Sequence, residues 1–229
     1  MLEQFSRIFS YYVVPKRVRK KLALQDGYGF GCDIEHFDPA RFTDSDKSRL
    51  RSDLGIPDEA FVFVFVGRLT AFKGFPLALE ALQQLRKERK DVHFLVVGEP
   101  DPQHPTDTSD LSSLESVSHV GWQDDPAPYF AISNTMLFPS KREGMPVCVM
   151  EALASGLSVI GCVRRAVREL IMHEVTGLIV SRNVDSIKSA MASVVVDPSL
   201  GTKLTAGALK LRGQLDCRHF YDTVERSFL

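Results

Sequence analysis

The chain is poor in the features that would direct it to a metal, a membrane or a nucleic acid. Only four cysteines occur in 229 residues, Cys32, Cys148, Cys162 and Cys217, and no two form a C-x-x-C pair. Metal-ligand spacing is therefore missing, and a reducing cytoplasm is the simplest setting. Cys148 and Cys162 fall in apolar stretches, where a free thiol packs as a small hydrophobe. The six histidines, His36, His93, His104, His119, His173 and His219, are scattered. A net charge of −1 gives no global attraction to nucleic acid. The longest apolar runs, such as Phe61 to Val66, are far below the ~20 residues a bilayer-spanning helix needs. Glu3, Gln4, Ser6 and Arg7 interrupt the apolar positions at the start, so no secretory leader is read there. One local exception is the basic cluster Lys16, Arg17, Arg19, Lys20 and Lys21. It is expected to be a solvated helix face, with binding of anionic lipid, as in peripheral contact to the inner face of a membrane, or of nucleic acid as the alternative.

What is present is an ordinary globular composition, 44% hydrophobic and 25% charged. The length suits one α/β domain with a real core, and is short for two domains of about 150 residues each. From residue 60 strands and helices alternate. Ala60 to Val66 is a continuous β-branched and aromatic run closed by Gly67, the pattern of a strand buried on both faces. Leu77, Ala78, Ala81, Leu82 and Leu85 follow at helical spacing. Further strands are expected at Val92 to Val97, Val117 to Val120, Thr135 to Phe138, Leu157 to Gly161 and Leu178 to Val180. Helices are expected from Asp125-Pro126 to Ile132, after Pro146, near 165–172, and over 184–196, 198–211 and 217–228. Pro100, Pro102, His104 and Pro105 mark residues 99–109 as a loop. This alternation predicts an α/β, Rossmann-like doubly wound parallel sheet, whose ligands bind at the carboxyl ends of the strands. Arg68, Glu99, Gly121 and Ser140 to Glu143 all follow strands directly, so they are expected on one rim.

The most informative stretch is Glu143-Gly-Met-Pro-Val-Cys-Val-Met-Glu151, two glutamates eight residues apart. Pro146 suits the first turn of a helix, where its missing N–H is not needed. Glu143 is then in the loop before the helix and Glu151 inside it, up to roughly 12 Å away at about 1.5 Å of rise per residue. That is about the reach of a sugar nucleotide. The helix N-terminus between them offers free N–H groups to a phosphate. The order reads as hydroxyl acceptor, phosphate site, hydroxyl acceptor.

Upstream stand Val66-Gly67-Arg68-Leu69 and Lys73-Gly74. Downstream stand Ala152 to Ile160, then Arg168-Glu169-Leu170-Ile171, then Val175-Thr176-Gly177-Leu178-Ile179-Val180. In that order and spacing, over roughly residues 29–200, the set resembles the nucleotide-sugar-binding, C-terminal half of the retaining GT-B glycosyltransferases of family 4, the group 1 transferases. Gly29-Phe30-Gly31-Cys32-Asp33-Ile34-Glu35-His36-Phe37 resembles that family's interdomain segment. The resemblance implies a division into 1–36 (remnant of an N-terminal acceptor domain, with linker), 37–200 (donor domain) and 201–229 (C-terminal helices). It implies that Arg68 and Lys73 hold a diphosphate and stabilise its charge without a metal. It implies that Glu143 meets the sugar hydroxyls and Glu151 the ribose hydroxyls. Gly144, Met145, Pro146 and Val147 would line the donor with backbone N–H groups. No cofactor is implied; the donor would be a UDP-sugar or a GDP-sugar, and the acceptor a saccharide or lipid-linked saccharide. A separate N-terminal half is a further expected partner, and no nucleic acid is.

Other motifs are weighed against this reading. Asp44-Ser45-Asp46 is a D-x-D, but it lies away from any strand end and reads as a helix start or solvated loop. Gly27, Gly29 and Gly31 lack the strand and helix of a dinucleotide loop and read as a turn; no glycine-rich loop follows the Ala60 to Val66 strand, which sets aside an oxidoreductase. An epimerase of related fold would need a second catalytic domain. A non-catalytic nucleotide-sugar-binding module remains the alternative. One departure from the family is Arg164-Arg165, where it has a glycine pair; arginine lacks glycine's backbone freedom.

Overall fold

The computed structural model describes residues 31–222, apart from Pro105, Asp107, Ser109, Asp110, Arg142, Met145, residues 163–169 and Phe220. The basic cluster at Lys16 to Lys21, the Gly27 and Gly29 turn, Met145, the Arg164-Arg165 pair and most of the helices expected near 165–172 and over 217–228 lie outside the described residues.

The described elements run α1 (Asp44–Asp53), β1 (Phe61–Val66), α2 (Phe75–Glu88), β2 (Val92–Val97), β3 (Val117–His119), α3 (Ala127–Ala131), β4 (Thr135–Phe138), α4 (Val147–Ala154), β5 (Ser158–Cys162), β6 (Gly177–Val180), α5 (Val184–Val196) and α6 (Pro198–Leu211). Among the described residues the strands form one six-stranded sheet in the order β3-β2-β1-β4-β5-β6. Every pairing is parallel. The doubly wound α/β sheet is thus the observed fold. Its order reverses between β1 and β4, and that switch point is where such sheets open a crevice at their carboxyl ends.

β1 explains why the sheet is sandwiched. Its side chains alternate, and both sets are apolar: Val62 and Val64 belong to one buried cluster, Phe63 and Phe65 to the other. The valine side packs with α4 through Val149, Met150 and Leu153, and with Ala208 and Leu211 of α6. The phenylalanine side packs with α2 and α5 through Phe75, Leu82, Leu85, Ile187 and Met191. Covering both faces requires the near-continuous apolar runs seen in the strands. At about 25 cal/mol per Å² of apolar surface removed from water, these layers are the main favourable term in folding.

Asp44 and Asp46 open α1. Thr43 caps it, its hydroxyl accepting from the Asp46 N–H while Asp46 accepts from the Thr43 N–H. The D-x-D is therefore a capping box. Residues 31–42 pack on the same core as the C-terminal segment. The Cys32 N–H donates to Leu215 O at 2.7 Å, and the Cys217 N–H donates to Cys32 O at 3.0 Å. Arg212 bridges to Asp38 at 2.6 Å. α6, Pro198–Leu211, runs across the expected boundary between residues 200 and 201.

Candidate functional site

Two loops meet at the switch point. The first leaves β1 through Gly67, at φ 140°, beside Gly98 of β2, also at φ 140°. A Cβ on Gly98 would sit 2.0 Å from Gly67 O, so only glycine lets these strand ends touch. Backbone pairing continues past the sheet, with the Gly67 N–H on Val97 O and the Leu69 N–H on Glu99 O, both 2.9 Å. The loop then turns over Thr70, whose hydroxyl accepts from the Lys73 N–H at 3.2 Å. It enters α2 at Gly74, in the left-handed region at φ 78°.

The second loop leaves β4 through Pro139 and Ser140, both buried. It lies against the first. A Cβ on Gly74 would fall 2.3 Å from Pro139 O, and the Lys141 N–H donates to Phe72 O at 2.7 Å. This contact brings Lys73 and Glu143 together. The Lys73 Nζ lies 2.8 Å from Glu143 Oε1, and the Ser140 hydroxyl donates to the same oxygen at 2.6 Å. Glu143 has a side chain only 10% exposed, and Lys73 28%. Among the described residues no hydrogen bond engages the second carboxylate oxygen of Glu143.

Arg68 stands on the same rim and pairs with a different carboxylate. Its Nη1 lies 2.6 Å from Asp101 Oδ2, while its side chain stays 64% exposed. The Gln103 N–H and then the Arg68 guanidinium hold the Asp101 carboxyl below the usual carboxylate range. Arg68 and Lys73 are thus anchored by separate carboxylates on separate loops.

Past the second loop, Pro146 is buried and immediately precedes α4. The first helical bonds run from the N–H groups of Val149 and Met150, both to Pro146 O. This leaves the N–H groups of Val147 and Cys148 outside the ladder, as at any helix start. Gly144 and Val147 are exposed beside it. Glu151 lies inside α4. Burial, and then the nearby Asp125 carboxylate, push its carboxyl up to about 7; His36 offsets part of this. Its carboxylate has no hydrogen bond or ion pair among the described residues. An acceptor with two free oxygens and a desolvated setting is suited to a pair of hydroxyl donors.

Sequence reading missed what surrounds Glu151. The His36 Nε2 lies 2.8 Å from Asp125 Oδ1, and the Ala127 N–H donates to that same oxygen at 2.9 Å. Burial pushes the Asp125 carboxyl up, but these two hydrogen bonds more than offset it and leave it below the usual range. His36 had been one of six scattered histidines, and no local pattern marks its pairing. Asp101 and Ser140 were likewise unmarked. Cys148, expected to be buried, is half-buried; burial and then Glu151 push its thiol up to about 12, so it stays protonated and unreactive. Among the described residues no group of three or more His, Cys, Asp or Glu side chains gathers to hold a metal. None of the described helices is long and apolar enough to cross a membrane.

A doubly wound parallel sheet of this order is a Rossmann-like α/β domain. Its family follows from comparison. A model described as glycosyl transferases group 1 matches residues 60–197, more than half of the chain, so the chain belongs to that family. It is 27% identical over 195 residues to D-inositol 3-phosphate glycosyltransferase 1 of Catenulispora acidiphila, covering 79% of this chain and 45% of that protein. It is 28% identical over 176 residues to an Escherichia coli UDP-Gal:alpha-D-GlcNAc-diphosphoundecaprenol alpha-1,3-galactosyltransferase, covering 74% and 45%. The chain thus spans about half the length of the curated relatives it matches. Among solved structures, Anabaena Alr3699/HepE in complex with UDP and glucose gives a TM-score of 0.75 at 20% identity, covering 86% of this chain and 55% of that one. The C-terminal domain of the group 1 family protein LpcC from Francisella tularensis gives 0.66 at 21%, covering 79% and 96%. At these identities the structural likeness establishes the fold.

Proposed function

We propose that the chain is the donor-binding part of a glycosyltransferase that moves a hexose from a nucleoside diphosphate sugar to a saccharide or lipid-linked acceptor, with retention. The observation that carries this reading is the Lys73–Glu143 pair, 2.8 Å apart, at the switch point where nucleotides sit in sheets of this order. Lys73 and Arg68 take the diphosphate as fixed cations, a role that needs no metal. Glu143 accepts from the sugar hydroxyls through its free oxygen. Glu151 accepts from the ribose hydroxyls, and the N–H groups from Gly144 to Val147 face the donor between them. UDP is the favoured nucleotide, with GDP second. Support for UDP comes from the HepE complex and from the UDP-Gal donor in the E. coli relative's name. Acceptors in glycan or polysaccharide synthesis fit the lipid-diphosphate and inositol phosphate substrates in the relatives' names. A cytoplasmic site at the inner face of a membrane and a partner N-terminal half belong to the same proposal.

The test is calorimetry of UDP and of uridine. Charge-assisted contacts contribute about 1.5–3 kcal/mol, so UDP should bind tighter than uridine, and Lys73→Ala should weaken UDP roughly tenfold or more. Binding should survive EDTA. Equal affinity for UDP and uridine would sink the diphosphate assignment. A second reading is a non-catalytic nucleotide-sugar-binding module. Turnover of a donor with glycan acceptors separates it from the first.

A further inference from the structure

Arg182 follows β6 at the edge of the sheet, two strands from β4 and three from β1. It nevertheless reaches both loops at the switch point. Its Nε donates to Pro139 O at 2.8 Å, and its Nη2 donates to Ala71 O at 2.6 Å. Pro139 is buried and begins the Glu143 loop; Ala71 is two residues before Lys73. Arg182 makes no ion pair among the described residues, so its guanidinium is committed to backbone carbonyls. A planar fork that grips two carbonyls at once holds them at a set separation, which a single ammonium cannot do.

We propose that Arg182 is a positioning residue for the diphosphate site. It clamps the β1 loop onto the β4 loop across the switch point, and so fixes the distance between Lys73 and the start of α4. Three observations converge on this. The two loops touch directly where Gly74 meets Pro139, they share the Lys141–Phe72 backbone bond, and Arg182 is the side chain that bridges both from a third element. Without it, Lys73 keeps its Glu143 contact but the loops are free to separate on the side facing β6. The proposal rests on the donor reading above, and its test distinguishes the two.

The experiment is UDP and uridine titration of the full chain carrying Arg182→Met, Arg182→Lys, Lys73→Ala, and the double variant Lys73→Ala/Arg182→Met, with urea unfolding of each. Arg182→Met should weaken UDP roughly three- to tenfold, because the preorganised placement of Lys73 against the start of α4 is lost. Uridine affinity should be unchanged. Arg182→Lys should not restore the parent value, because charge without the fork does not clamp. The double variant should lose little beyond Lys73→Ala, since Arg182 acts through Lys73. Parent-like UDP binding by Arg182→Met, while Lys73→Ala is weakened, overturns the clamp and spares the donor site. Full rescue by lysine, or additive losses in the double variant, also overturns it by assigning Arg182 a direct charge contact. Equal weakening of UDP and uridine with a large fall in the urea midpoint marks a general structural role and overturns it too. A parent chain that does not distinguish UDP from uridine removes the diphosphate site and the proposal with it.

Discussion

Replacing Glu151 by glutamine should make the empty protein more stable and the nucleotide site worse. Burial and Asp125 raise the Glu151 carboxyl from 4.5 to about 7, and no hydrogen bond or ion pair among the described residues compensates its charge. One pKa unit corresponds to about 1.36 kcal/mol, so the rise amounts to about 3 kcal/mol against the ionised form in the folded chain. The side chain stays partly exposed, and water there reduces the effect to about 2–3 kcal/mol. The sign follows from proton linkage. The folded chain binds the proton more tightly than the unfolded chain, so between pH 4.5 and 7 folding takes up protons and stability falls as pH rises. Below 4.5 both states are protonated and the penalty vanishes; above 7 it is complete.

Glu151→Gln removes the charge but keeps the shape. In urea unfolding at pH 8 the variant should exceed the parent by about 2–3 kcal/mol, and at pH 5 by less than about 1 kcal/mol. The difference between variant and parent is the quantity to follow, because other carboxylates also titrate at low pH. UDP affinity should move the other way, since an amide is a poorer partner for two hydroxyl donors than a carboxylate. Stabilisation bought at the expense of binding is the usual signature of a functional position. Equal urea stability of the two proteins at pH 5 and pH 8 would refute an uncompensated charge at Glu151. A stability gain without any loss of UDP affinity would keep the electrostatics and reject the ribose role.

Glu143→Ala should leave UDP affinity nearly intact while weakening a UDP-sugar by about 1.5–3 kcal/mol in calorimetry, because the proposed contact is to the sugar alone. Gly74→Ala should lower stability by more than about 2 kcal/mol in urea unfolding. A Cβ there would meet Pro139 O at 2.3 Å with the backbone at φ 78°, and UDP binding should fall with it because the two loops must move apart.

The fold was legible in the sequence to the extent that its signals are local. β1 announces itself because both of its faces are buried, so its whole run is apolar. β3 was found even though its strand is short and ends on an exposed His119, because Gly121 closes it. Asp44 and Asp46 were read as a helix start, and the Thr43–Asp46 capping box is a signal contained within four residues. Small offsets appear where the signal is weakest. Pro146 precedes the first turn of α4 instead of lying within it, and the strand expected to begin at Leu157 begins at Ser158. Both follow from frayed element ends, which sequence pattern does not fix to one residue.

The candidate site was legible only as a roster of residues, because its geometry is made between segments. Lys73 and Glu143 were each singled out, but their contact joins positions 70 residues apart. Arg182 meets Ala71 across 111 residues. Neither distance leaves a trace in local composition. The same holds for Glu151. Its spacing from Glu143 was readable, whereas its raised pKa comes from burial and then from Asp125, before α3, with His36, ahead of α1, opposing the rise. What sequence does record is the backbone requirement that permits these meetings. Gly67, Gly98 and Gly74 were visible as isolated glycines after strands and before a helix. Gly98 and Gly74 admit approaches that a Cβ would block, at 2.0 Å from Gly67 O and 2.3 Å from Pro139 O. The glycines therefore specify where two loops can touch, and the charged side chains on those loops specify what the contact can hold.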